Sequence, residues 1–232
     1  MTFILHSKRC GQKTIGPIKM KKNTPDTGSA SEPLREPRPS PEEYYMSLAV
    51  QIASRCNCMK THVGAIILRD GRIRTAGYNG TVEGYADCFK GGCPRCKDLS
   101  IHSGQKLDHC ICVHAEENAL VSAARYGIPV DGADCYVTHE PCLSCTKLLI
   151  QSHVKRVIYL VEYDYPDQPE QNSARQSMRE HSKGQKDGAE FCHFADVAAD
   201  HARAKELMTE WSEKLAGMKS ASLDYAKKIG VC

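Results

Sequence analysis

Thirteen cysteines and ten histidines share a chain of 232 residues, and that density constrains the fold more than any other feature. Nothing in the chain reads as an export signal. The opening MTFILHSKRC lacks the apolar stretch of a signal peptide, and no apolar run reaches bilayer length. We therefore expect no membrane span and no secretion. In a reducing compartment, cysteines at this density serve metals more readily than disulfides, and metal ligation is the reading adopted. Hydrophobic residues at 41% and charged residues at 25% suit a packed domain rather than a disordered chain.

The net charge of +3 is unevenly spread. Residues 1–41 hold eight Lys/Arg against three Asp/Glu, and the remaining chain holds 23 against 25. This first segment contains SEPLREPRPSP and few apolar residues, so it reads as a disordered basic tail. Its preference for Lys over Arg argues for a cytoplasmic protein, although an organellar address stays open. The rest is close to neutral, which disfavours an extended groove for nucleic acid.

Order is expected to begin at Ser40-Pro41-Glu42-Glu43, a cap, a first-turn proline and the reciprocal glutamate of a capping box. VGAIIL (63–68), the turn Asp70-Gly71 and RIRTAGY (72–78) predict a β-hairpin. Residues 80–112 have no period and are crowded with Gly, Cys and His, so they read as a long loop that needs an internal staple. A helix over about 114–126, closed by Gly127, leads to a strand at 135–139, a helix at 141–151 and a strand at 156–163. A helix near 172–182 and a short strand at 188–194 follow. Alternating strands and helices indicate a layered α/β domain over 42–195, with a Cys-rich insert at 80–112. Residues 196–232 form a helical extension in which Leu207, Trp211, Leu215 and Met218 recur at helical spacing.

Two segments carry chemistry: His114-Ala115-Glu116 and Pro141-Cys142-Leu143-Ser144-Cys145. Cys142 and Cys145 stand three apart at a helix start, where the helix N-terminus favours thiolates, the form that binds zinc. One imidazole and two thiolates leave a fourth tetrahedral corner for water, the mark of a catalytic site. Glu116 would then stand beside that water and move its proton. The competing reading is a closed structural site with Cys135 or His139 as fourth ligand, in which the protein is a non-catalytic zinc-binding interaction module.

The spacing H-x-E…P-C-x-x-C resembles the signature of zinc nucleobase deaminases. Further stretches, THVGAIIL, GYNG (77–80), CVHAEENAL (112–120), YVTHEPCLSC (136–145) and VIYLVEYDYPD (157–167), resemble the deoxycytidylate (dCMP) deaminases of the cytidine/deoxycytidylate deaminase superfamily. The resemblance implies a three-layer α/β/α sandwich around a five-stranded mixed sheet, here with an extra C-terminal helix. It implies hydrolytic deamination of dCMP to dUMP with release of ammonia, supplying dTMP synthesis. Water activated by a catalytic zinc on His114, Cys142 and Cys145 attacks C4 of cytosine, with Glu116 as proton shuttle. The same resemblance places Ala115 against the base, Asn79 at the sugar and Tyr163 at the phosphate, and links Arg125 to subunit contact or effector response. Asn79 would otherwise read as a turn residue, Tyr163 as a rim or core tyrosine, and Arg125 as a solvated helix-end arginine. It further implies a homo-oligomer, a hexamer in the family, that responds to dCTP and dTTP. Within the superfamily, dCTP, cytidine or a base in nucleic acid are the alternative substrates.

Seven cysteines remain near the insert: Cys56, Cys58, Cys88, Cys93, Cys96, Cys110 and Cys112. Cys93-Pro94-Arg95-Cys96 has a zinc-knuckle spacing, and Cys112 precedes His114 by two residues. Some family members carry a second, structural zinc. The matching positions here are Cys58, Cys88, one insert ligand (Cys96, with Cys93 or His102 as alternates) and Cys112. Cys10, Cys192 and Cys232 are expected to be unliganded, and His62, His109, His153 and His193 to be packing or surface residues.

Overall fold

A computed structural model describes residues 38–163 and 168–232. The tail up to residue 37, with Cys10, and the stretch 164–167 lie outside the described residues.

Chain order begins with α1 (Pro41–Ala53), β1 (Gly64–Arg69), β2 (Arg72–Tyr78) and β3 (Gly80–Thr81). The insert contains a short helix, α2 (Pro94–Lys97), and ends in β4 (Cys112–Val113), which pairs with β3. Then come α3 (Ala115–Tyr126), β5 (Asp134–His139), α4 (Leu143–Gln151), β6 (Arg156–Val161) and α5 (Pro169–Lys183). The chain closes with β7 (Glu190–His193), α6 (Phe194–Val197) and α7 (His201–Lys228).

The main sheet has five strands in the order β2-β1-β5-β6-β7. β1 runs antiparallel to β2 and β5, while β5, β6 and β7 are mutually parallel, so the sheet is mixed as expected. Both faces are covered, which explains why β1 reads as a continuous apolar run. Alternation sorts its side chains. Ile66 and Leu68 join a core with Met46 and Val50 of α1, Tyr136, Ile158 and Leu160 of the sheet, and Leu207, Trp211 and Leu215 of α7. Ala65 and Ile67 join Ala115 and Ala119 of α3, Val137 of β5 and Leu149 of α4 on the other face.

Local chemistry sets the element ends. Ser40 and Glu43 form the expected capping box on α1, and Gly127 closes α3 in the left-handed region at φ 63°. At Gly77 on β2, a Cβ would lie 2.1 Å from the Ala115 carbonyl oxygen, so only glycine lets the first turn of α3 rest on the strand.

Some boundaries differ from the sequence expectation. The 141–151 helix begins at Leu143, because Cys142 serves as its N-cap with Sγ accepting from the Cys145 N–H. The 156–163 strand stops at Val161, and beyond it the Tyr163 N–H donates to the Glu140 carboxylate. The extension is broken: α6 ends at Val197, and α7 starts afresh where the Asp200 carboxylate caps the N–H groups of Ala202 and Arg203. No helix among the described residues is long and apolar enough to cross a membrane.

Candidate active site

His114 is the N-cap of α3 and Cys142 the N-cap of α4, so two helix N-termini meet at one point. The Nδ1 atom of His114 lies 3.4 Å from Cys142 Sγ and 3.4 Å from Cys145 Sγ. A tetrahedral zinc would separate nitrogen and sulfur corners by roughly 3.5 Å, so the donor set fits that ion in both chemistry and spacing. Among the described residues, this group comprises His114, Cys142 and Cys145, and neither Cys135 nor His139 joins it. The fourth corner is left to a non-protein ligand, against the closed-site reading.

The electrostatics match the geometry. Hydrogen bonding by Cys145 and by His114 holds the Cys142 thiol well below its ordinary value, toward the thiolate a metal needs, while the same Cys142–Cys145 pairing and burial push Cys145 up. Glu116 is 4% exposed, and its burial pushes the carboxyl up to about 7, against the pull of the His114 charge. A divalent cation beside it would draw that value down again.

Both groups line one cleft that opens to solvent. Ala115, Asn79 and Tyr163 also line it, so the structure gathers these candidates around one space. The Asn79 amide has a second engagement: its Oδ1 accepts from Val63 N–H at 2.8 Å and its Nδ2 donates to the Thr61 carbonyl at 2.8 Å. Arg125 does not reach the cleft. It is exposed on α3, paired with Glu83 at 3.3 Å.

The sequence reading overlooked Glu140, which anchors one wall. Its carboxylate accepts from the Tyr163 N–H at 2.9 Å and pairs with Arg175 at 3.4 Å and with Arg179. The visible signal was an acid directly before the Pro-Cys pair.

Where the insert meets the segment before β1, the sulfurs of Cys58, Cys88, Cys96 and Cys112 all lie within 4.8 Å of one another and are buried. Cys93 belongs with Cys110 to a neighbouring group, whereas His102 is exposed and joins neither. Cys110 entered no expected ligand set. Of the histidines set aside as non-ligands, His62 is buried and hydrogen-bonded, and His109 and His153 are exposed or at a turn.

The profile of the cytidine and deoxycytidylate deaminase zinc-binding region matches residues 39–161. A deoxycytidylate deaminase of Schizosaccharomyces pombe is 43% identical over 127 residues, covering 55% of this chain and 39% of that protein. The chain thus spans about two-fifths of that relative's length. The deoxycytidylate deaminase of Mycobacterium phage D29 is 39% identical over 128 residues, covering 53% of this chain and 95% of the relative. The crystal structure of the cyanophage S-TIM5 dCMP deaminase in complex with dCMP and dUMP superposes with a TM-score of 0.51 at 30% identity. That superposition covers 67% of this chain and 98% of the cyanophage chain.

Proposed function

The chain belongs to the cytidine and deoxycytidylate deaminase zinc-binding family, and from that premise we propose that it hydrolyses dCMP to dUMP and ammonia. One observation carries the reading: a three-donor set, His114, Cys142 and Cys145, beside a buried glutamate at the wall of an open cleft. The phage relatives named for this activity support the choice of substrate.

His114 Nδ1 and the sulfurs of Cys142 and Cys145 would hold the zinc. When bound, zinc supplies Lewis acidity that makes a water nucleophilic near neutral pH. Glu116 takes up the proton of the attacking water on a carboxylate oxygen and delivers it to N3 of the base. It then takes the proton of the new C4 hydroxyl and passes it to the 4-amino group as the C4–N bond breaks and the C4 carbonyl forms, so dCMP plus water gives dUMP plus ammonia. Ala115 and Asn79 position the base and sugar, and Tyr163 the phosphate. Burial of Glu116 keeps competing water away from this transfer.

In this reading the insert cysteines Cys58, Cys88, Cys96 and Cys112 hold a structural zinc that orders 80–112 within the 42–195 domain. The protein works in the cytoplasm, where thiols stay reduced. It assembles as a homo-oligomer with dCTP and dTTP as effectors, and Arg125, exposed on α3, faces subunit or effector contacts.

The test offers the purified protein dCMP, dCTP, deoxycytidine and a single-stranded oligonucleotide, and measures ammonia release beside a Glu116→Ala control. Release from dCMP in wild type but not in the control is expected. No release from any of the four, or equal release by the control, would overturn the enzymatic reading.

A further inference from the structure

Six cysteines of the insert region form two overlapping sets of four. Cys58, Cys88, Cys96 and Cys112 make one; Cys93, Cys96, Cys110 and Cys112 make the other, with every sulfur in a set within 4.8 Å of the rest. Cys96 and Cys112 belong to both. We propose that the insert holds two zinc ions that share Cys96 and Cys112 as bridging thiolates, with Cys58 and Cys88 completing one site and Cys93 and Cys110 the other. This rests on the reading that the Cys58 set holds a structural zinc, and adds a second ion beside it.

The spacing is that of metal ligands. Tetrahedral zinc with Zn–S bonds of about 2.3 Å places its sulfurs roughly 3.8 Å apart. Cys58 and Cys96 are 3.8 Å apart in the first set; Cys93–Cys110 at 3.8 Å and Cys96–Cys110 at 3.9 Å repeat the value in the second. A disulfide would need about 2.05 Å. A single ion on the first set would leave Cys93 and Cys110 as hydrogen-bonded thiols, whereas a second ion gives them the same ligand role as the first four.

Cys56 serves as an internal control. It is buried among the same residues, yet its thiol donates to the Thr61 carbonyl at 3.6 Å and it joins neither set. Crowding alone therefore does not recruit a cysteine.

Charge agrees. Two divalent ions with six thiolates carry a net −2, which a buried site must balance. Two buried cations stand there. Arg95 donates through Nη1 to Cys96 Sγ at 3.7 Å, whereas the Lys60 ammonium is held by the Asp98 and Ile101 carbonyls at 2.9 and 2.7 Å and only its backbone N–H reaches Cys58 Sγ, at 3.4 Å. The second ion also explains the fold of the insert, because it ties Cys93 to Cys110 and closes both ends of a segment with little regular structure.

The test counts zinc per full-length chain by elemental analysis after dialysis. Three ions are expected, falling to two in a Cys142→Ser/Cys145→Ser variant and to two in Cys93→Ser/Cys110→Ser. A wild-type total of two would overturn the paired site while keeping one insert zinc, and a total of one would overturn both readings. Should the Cys93/Cys110 variant fail to fold, cadmium-113 NMR of the substituted wild type decides. Two all-thiolate resonances split by mutual coupling are expected, and a single unsplit one would refute the shared sulfurs.

Discussion

His62 Nε2 and the Ser222 hydroxyl lie 2.9 Å apart across 160 residues of sequence. The other ring nitrogen of His62, Nδ1, lies 3.3 Å from the Ala53 carbonyl at the end of α1, so the donor on Nδ1 leaves Nε2 to accept from Ser222. Around this bond the end of α7 sits on the insert: Tyr225 meets Phe89 edge to face at 5.4 Å, and Ala226 is buried among the cysteines. The C-terminal helix is therefore part of the structure that holds the cysteine-rich region. Ser222→Ala leaves a buried ring nitrogen unpartnered and should cost about 1–3 kcal/mol. Urea unfolding of the zinc-saturated protein reads this directly, and an unchanged midpoint would show that the bond contributes nothing.

Glu116→Gln separates chemistry from binding. The amide keeps the shape of the side chain but cannot take up a proton, so kcat for dCMP should fall by about 10²–10⁴. KM should change little, because the groups proposed to position the substrate, Asn79, Ala115 and Tyr163, are untouched, and the zinc count should be unaltered. A variant that loses its metal, or one that raises KM with kcat intact, would assign Glu116 to structure rather than to proton transfer.

Glu140 links the Pro141-Cys142 corner to α5 and to Tyr163. Besides its own bonds, Arg179 donates to the Pro141 carbonyl at 3.1 Å, and its guanidinium stacks over Phe191 at 4.5 Å. Arg175 is buried, and the Glu140 and Arg179 side chains are only 10% and 13% exposed, so removing the negative charge strands two largely enclosed cations. Glu140→Gln should lower stability by about 3–5 kcal/mol. It should also raise KM for dCMP by loosening Tyr163. Calorimetric melting together with steady-state kinetics tests both, and wild-type behaviour in the two assays would exclude this role.

Local signals made much of the architecture readable. The Ser40–Glu43 capping box and Gly127 act within one turn of chain, and the hairpin at Asp70-Gly71 is a contact between neighbours. His114, Cys142 and Cys145 were legible because each pair of spacings is short and chemically specific. Cys110 was not, since its partner Cys93 stands 17 residues away in a segment without periodicity, and only the folded loop brings their sulfurs to 3.8 Å. The apolar stripe of α7 identified a buried face in Leu207, Trp211 and Leu215 but not its partner. That partner is the α1 side of the sheet, with Trp211 against Phe194 at 5.5 Å.

His139 provides a pH dependence. Burial lowers its pKa from the ordinary 6.5 to about 4, and burial also lowers His62. Between those values the unfolded chain binds a proton that folded His139 refuses. Stability therefore rises with pH across this window, is fully present above about 6.5, and is lost as pH falls toward 4. The full shift corresponds to about 3 kcal/mol. Metal ligands also protonate in acid, so the measurement is a difference: urea unfolding of wild type and His139→Gln at pH 7.5, 6.0 and 5.0 with saturating zinc. The wild type should lose more stability on acidification than the variant, because glutamine does not titrate. Parallel losses in the two proteins would mean that His139 is protonated as easily in the folded state as in the unfolded one.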